Sequence, residues 1–315
     1  MDEMEIPKQQ LEYEEPITYS YPPLSFSTYS DLIKSKQTFL LLYTANFTYL
    51  ISALATGLDL LKFIWFTIGL FFAISGSTLL NMYIDRDIDA LMERTKNRPL
   101  PSRRVPPSTV LKHGILFTAA GTLAVGVFVN FFTMIVVFLG FFFDIVVYSL
   151  LLKRRTRLSI IFGGVAGGLP AIAGRAAVIG TIDLTAILMG LFVLCWIPLH
   201  ILTLALIPKN LEGYKNAGVP MWPVVSSQTQ TIRVVTLSAI LSASIIVLAG
   251  ISLEINLLAL LPLILFCAFI LFQAFANLKQ PSHKRTFKIF KLASIFMAFA
   301  FLWLFVGVVI TSFLP

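Results

Sequence analysis

The chain has 315 residues, 57% hydrophobic and 13% charged, with a formal net charge of +8. A mean hydropathy of +0.85 excludes a soluble globular enzyme, and the length leaves no room for a large soluble domain beside a multi-span bundle. The positive balance does not imply nucleic acid, because the basic residues gather on one predicted membrane face.

Residues 1–30 stand apart. They carry Glu3, Glu5, Glu12, Glu14 and Glu15 among prolines and tyrosines. They have neither the basic-then-apolar order of a signal peptide nor the Arg-rich, acid-poor bias of a transit peptide. A disordered cytoplasmic tail is expected there, with 31–315 as one transmembrane domain. Nine spans long enough for about 30 Å of hydrocarbon are predicted near 38–58, 62–82, 109–129, 132–152, 159–180, 184–207, 230–252, 255–277 and 290–312. Lys and Arg crowd the connections after the second, fourth, sixth and eighth spans. The opposite connections are short and hold Asp59, Lys62, Arg175, Asp183 and Glu254. The positive-inside bias then places the N-terminus in the cytoplasm and Pro315 outside. The expected fold is all-α, a polytopic bundle in the cell membrane. Cys195 and Cys267 fall in apolar sequence and are expected to be buried and unbridged.

The second span runs directly into a polar stretch from Asn81 to Pro101. Asn81, Asp85 and Asp89 are four apart and share one helix face. Hard oxygen ligands at that spacing suit Mg²⁺, which takes one or two carboxylates plus substrate phosphate oxygens. Arg94, Arg98, Arg103 and Arg104 follow and suit the phosphates. A helix end that merely needs solvating charge is the plainer reading. It does not account for acids interleaved with bases that would cancel them.

The fourth span contains Asp144, about 13 Å by helical rise from its basic end, with Tyr148 one α-turn on. A carboxylate at that depth lines a cavity or meets a partner. The span closes on Lys153-Arg154-Arg155-Thr156, which reads as stop-transfer charge or as phosphate ligands. The Gly163-Gly164 and Gly167-Gly168 pairs before Pro170 permit close packing and a bend, or room for a bulky ligand. The sixth span carries Trp196-Ile-Pro198-Leu-His200, and the loop beyond it carries Glu212, Tyr214, Gly218, Pro220 and Met221. His200 is open to two readings, a packing histidine or a ligand. Glu212 is either loop charge or a second metal carboxylate. The acid-containing inner loops after spans two and six lie four spans apart, which suggests a duplicated four-helix unit with a site between its halves.

In this order the residues resemble the UbiA superfamily of intramembrane prenyltransferases, and within it the protohaem IX farnesyltransferase (haem O synthase) family. The resemblance rests on Asn81/Asp85/Asp89, on Arg94-Thr95 with Arg98-Pro99-Leu100, and on Lys-Arg-Arg-Thr at 153–156. It continues through the glycine run from Gly163 to Pro170, Trp196-x-Pro198-x-His200, and Tyr214-x-x-Ala217-Gly218-x-Pro220-Met221. It covers roughly residues 34–225; beyond that only the span count agrees. The chain departs from the pattern where Glu212-Gly213 replaces an aspartate before the tyrosine. It departs again where Ile201 and Leu202 replace aromatic residues, and where Lys34-Ser-Lys36 replaces Lys-Pro-Arg.

The resemblance implies nine helices around a central cavity open to the inner face. The implied reaction moves a prenyl group from an allylic diphosphate to a vinyl of protohaem, with water completing a hydroxyalkyl side chain. Asn81, Asp85 and Asp89 then hold Mg²⁺, with Glu212 as the candidate for a second metal site. Lys36, Arg94, Arg98, Lys153 and Arg154 assist the leaving diphosphate, and Asp144, Tyr148, His200 and Tyr214 line the substrate. Protohaem IX and farnesyl or longer prenyl diphosphate are the implied substrates. Haem A synthase or haem-copper oxidase assembly factors are implied partners. The alternatives are a UbiA-type enzyme with an aromatic or lipid acceptor and, in another class, a membrane transporter. Transporters carry polar groups at the midplane, whereas charge here clusters at one face.

Overall fold

The structure, a computed structural model, describes residues 21–23 and 25–313. The expected N-terminal tail therefore lies largely outside the described residues. Its last part does not: Phe26–Leu32 forms a short helix, α1, capped by Ser25. The rest is helical throughout: α2 (Ser35–Thr56), α3 (Leu60–Leu91), α4 (Pro107–Phe128), α5 (Phe131–Phe141) continued by a π-helical segment (Phe142–Leu152), α6 (Ser159–Ile179), α7 (Leu184–Ala205), α8 (Pro208–Asn216), α9 (Trp222–Val225), α10 (Gln228–Ser252), α11 (Leu257–Lys279) and α12 (His283–Phe313). Among the described residues nine helices are long and apolar enough to cross a membrane, as the hydropathy pattern predicts.

The turns at the predicted outer end follow one local rule. Asp59, Asn130, Asp183 and Asn256 each cap the helix that follows, accepting from the backbone N–H of Lys62, Thr133, Ala186 and Leu258. Such caps satisfy amides that the apolar interior cannot. The connections at the opposite end are longer and carry the chemistry.

Between apolar helices in lipid, association rests on close packing and hydrogen bonds rather than on expulsion of water. Small residues on α6 and α7 allow this: a Cβ on Gly168 would lie 2.4 Å from the Gly190 carbonyl oxygen. One core joins α2 to α6 through Tyr49, Phe66, Leu70 and Val136. A second gathers α7, α10, α11 and α12 around Phe192, Phe296 and Phe301. Trp196 Nε1 donates to the Ala293 carbonyl at 2.7 Å and the Tyr43 hydroxyl to that of Ala298 at 2.6 Å, fastening α12 to α7 and α2. Leu123, Val127, Leu265 and Phe272 stay exposed and face the lipid. Pro198 interrupts the ladder of α7, and Ser238 of α10 repairs it. Its hydroxyl accepts from the Leu199 amide at 2.9 Å and donates to the Cys195 carbonyl, as a buried break in a spanning helix requires. Cys195 and Cys267 are both free.

A candidate active site at one end of the bundle

The last turns of α3 place Asn81, Asp85 and Asp89 in one buried line. Three cations from three separate segments meet them. Lys34 Nζ, from the turn between α1 and α2, donates to Asn81 Oδ1 at 2.9 Å. Lys153, just past the π-helix, pairs with Asp85 Oδ2. Arg98 Nη1, from the loop after α3, lies 2.6 Å from Asp89 Oδ2. Thr95 anchors that loop by donating to the Asp89 carbonyl at 2.9 Å. Leu100 and Val105 pack with Leu32, Leu79 and Met82 in a small core that seats the loop and α1 on α3.

Lys34 itself occupies the left-handed region, with φ 46° and ψ 58°, a conformation that costs a non-glycine residue about 1–2 kcal/mol. Burial first, then the neighbouring charges of Arg98 and Lys153, pull its ammonium down to about 8, against the opposing pull of Asp85 and Asp89. A strained, half-buried lysine facing two other cations is costly alone and well matched to an anionic ligand. At Lys153, burial opposes the charge, but Tyr148 and Asp85 overcome it and hold the ammonium above its ordinary value.

The π-helix changes which residues line up. Its i→i+5 bonding aligns residues five apart rather than four. Asp144 therefore pairs in register with Ser149, whose hydroxyl donates to the Asp144 carbonyl at 2.8 Å while accepting from Asn81 Nδ2 at 2.8 Å. Tyr148 aligns with Lys153: the Lys153 amide donates to the Tyr148 carbonyl at 2.8 Å, and the ammonium sits 5.5 Å from the ring centroid. The Asp144 carboxylate accepts from Ser77 of α3 at 2.7 Å. The α-helical pairing of Asp144 with Tyr148 is thus replaced by a chain running Lys34–Asn81–Ser149–Asp144. The Tyr148 ring lies against Gly163, where a Cβ would meet it at 3.0 Å. That contact gives the first glycine pair of α6 its use.

Other expected site residues lie elsewhere. Lys36 and Arg94 are exposed; two residues past Lys34, the helix has turned Lys36 to the far side. Arg154 turns outward, pairing with Asp87 at 2.6 Å to each carboxylate oxygen and with the Ile84 carbonyl at 2.9 Å. Glu212 is exposed on α8, whose buried side carries Gly213 and Tyr214. Gly218, with φ 63°, ends α8 in the left-handed conformation. His200 is stacked between Trp196 and Phe290, 4.7 Å from each centroid, with Nδ1 3.4 Å from Ser294 Oγ. Lys34 and Ser149 were missed. The signal for Lys34 was the acidic face needing a cation from the chain just before the first span.

Among the described residues no three His, Cys, Asp or Glu side chains converge on one point, so the protein alone offers no complete cage. What it offers is a partial set. Asp85 Oδ1 is buried with no hydrogen-bond partner, and the Asp89 carboxylate and Asn81 amide stand one turn to either side. A buried orphan oxygen flanked by hard oxygens fits a cation that completes its shell with substrate oxygens.

The chain matches the UbiA prenyltransferase family over residues 41–305. It is 45% identical over 210 residues to a protoheme IX farnesyltransferase of Korarchaeum cryptofilum, covering 67% of this chain and 69% of that one. It is 37% identical over 287 residues to a protoheme IX farnesyltransferase of Archaeoglobus fulgidus, covering 88% and 96%. Its fold resembles the structure of a UbiA homologue from Archaeoglobus fulgidus bound to GPP and Mg²⁺, with a TM-score of 0.63 at 15% identity over 88% of this chain and 99% of that one. The buried Asn81–Asp85–Asp89 face, the nine spans that carry it and these likenesses agree: this multi-pass membrane protein belongs to the UbiA prenyltransferase family.

Proposed function

We propose that the protein transfers a farnesyl-type group from an allylic diphosphate to a vinyl group of protohaem IX, giving haem O. The observation that carries the reading is the buried line Asn81–Asp85–Asp89 ringed by Lys34, Lys153 and Arg98, joined to the name shared by its relatives. Asn81, Asp85 and Asp89 are the residues to hold Mg²⁺ with the diphosphate. A bound divalent ion supplies neutralisation of the leaving charge.

The chain's own groups do the rest. Lys34, Lys153 and Arg98, held at the site by Asn81, Asp85 and Asp89, are the donors placed to stabilise charge built up on the leaving diphosphate. Exclusion of water from the allylic cation until the vinyl has attacked it is the remaining requirement on the site. Nδ1 of His200 towards Ser294 leaves Nε2 as the nitrogen for haem iron. Tyr214, buried on the helix that follows α7, is assigned to the haem side; Glu212, exposed on the same helix, is left out of the metal set. The site opens to the cytoplasmic side of the plasma membrane, with the C-terminus outside. The product suits a downstream haem A synthase or oxidase assembly factor.

The test is pigment extraction. The chain is expressed in a host lacking its own haem O synthase, and extracted haem is analysed by chromatography and mass spectrometry. A haem heavier by one hydroxylated farnesyl group is expected. Asp85→Asn should lower its yield by roughly 100- to 1,000-fold, the cost typical of losing one preorganised stabiliser of developing charge. Protohaem alone, with the protein present and inserted, overturns the acceptor assignment. A wild-type yield from Asp85→Asn overturns the metal assignment.

A further inference from the structure

A second basic feature lies away from the site, at the inner ends of α11 and α12. A groove of about 770 Å³ runs between them, lined by Gln273 of α11, by Gln280 just past its end, and by Lys284, Phe287, Lys288 and Lys291 of α12. Lys284, Lys288 and Lys291 follow the i, i+4, i+7 spacing of one helix face. A cationic stripe therefore forms one wall of the groove. None of the three lysines is ion-paired among the described residues, and no acid follows Glu254 in the chain.

Helix stability does not explain the stripe. Like charges at i, i+4 repel. Cations at the start of a helix oppose its dipole, and the first turn of α12 carries no acid to compensate. The positive-inside bias accounts for basic residues at this end of the bundle, but not for three of them set on one face of α12. Arg285 pins the turn by donating to the carbonyls of Gln280 at 2.7 Å and Ala276 at 3.3 Å, which fixes the groove width. The lysine ammoniums hover over aromatic rings, Lys291 at 4.6 Å from the Phe287 centroid and Lys288 at 5.8 Å from Phe269. Beyond them Phe272 and Ile295 are exposed towards the lipid. The ligand this favours has an anionic head and an apolar body.

We propose that this groove binds the headgroup of an anionic phospholipid, its acyl chains lying along the lipid-facing sides of α11 and α12. Basic pockets between spanning helices are suited to such headgroups. The test is native mass spectrometry of the full chain released from detergent with cardiolipin, phosphatidylglycerol or phosphatidylcholine. Wild type should retain an anionic lipid in preference to phosphatidylcholine. The double variant Lys288→Gln/Lys291→Gln should weaken that retention on the order of thirty-fold, from the usual attraction per surface lysine. Lys112→Gln, an exposed lysine of another inner segment, should not. Equal retention by the double variant, equal retention of phosphatidylcholine, or displacement by millimolar inorganic phosphate each overturns the proposal, the last by making this a free-phosphate site. Lys284→Gln/Lys288→Gln provides a second pair should the first not fold. The readout is lipid retention, so it stands apart from turnover.

Discussion

The lysine before the first span offers the sharpest test of the site, because sequence and structure point to different residues. The sequence reading selects Lys36; the geometry selects Lys34, whose Nζ is 2.9 Å from Asn81 Oδ1, while Lys36 is exposed. Replacing Lys34 by Gln keeps a donor of nearly the same reach and removes the charge. A charge-assisted hydrogen bond contributes about 1.5–3 kcal/mol, so Lys34→Gln should slow prenyl transfer roughly 10- to 150-fold. If the charge acts mainly on the departing diphosphate, kcat and kcat/KM should fall together. Lys36→Gln should stay within about twofold of wild type, since exposed charges contribute little. The assay is diphosphate release in a single turnover by detergent-purified protein at saturating Mg²⁺ and both substrates, with thermal unfolding as a check on folding. A Lys34→Gln enzyme as fast as wild type, or a Lys36→Gln enzyme equally slowed, refutes the assignment of the buried cation.

Three other outcomes are expected. Glu212→Gln should leave the Mg²⁺ titration of activity unchanged, because Glu212 is exposed and α8 turns its other side inward; a rightward shift would give α8 a metal contact. His200→Ala should shift the visible spectrum of bound haem and raise the haem requirement without altering prenyl diphosphate affinity, and an unaltered spectrum in a stable variant would reduce His200 to packing between Trp196 and Phe290. At the end of the bundle opposite the site Asp183 takes the Arg175 guanidinium at 2.5–2.8 Å; burial pushes its carboxyl up, but Arg175 and the Ala186 amide outweigh this and hold it below the usual carboxylate value. The stabilisation is therefore present above the ordinary carboxylate range and lost as pH falls through the depressed value. Asp183→Asn should cost on the order of 1–2 kcal/mol at neutral pH after allowance for partial exposure, and its melting temperature should be flatter than that of wild type in acid.

Much of this protein was legible in one dimension. Nine apolar runs define nine spans because lipid satisfies no backbone group, so each crossing must be a helix of predictable length. The Asn81–Asp85–Asp89 face followed from the helical period alone, and Arg98 from its place in the same loop. Three features needed the tertiary structure. The register of the fourth span is one: i→i+5 bonding sets Asp144 beside Ser149 and Tyr148 beside Lys153, and residue spacing read with an α-helical period cannot anticipate it. The partners of the acids are another, since Lys34, Arg98 and Lys153 come from three segments that only packing brings together. The third is which basic residues turn away, as Lys36, Arg94 and Arg154 do. A sequence states how many charges stand at a membrane face; which of them meet is decided by the angle at which each helix presents its side, and that angle is set by contacts far along the chain.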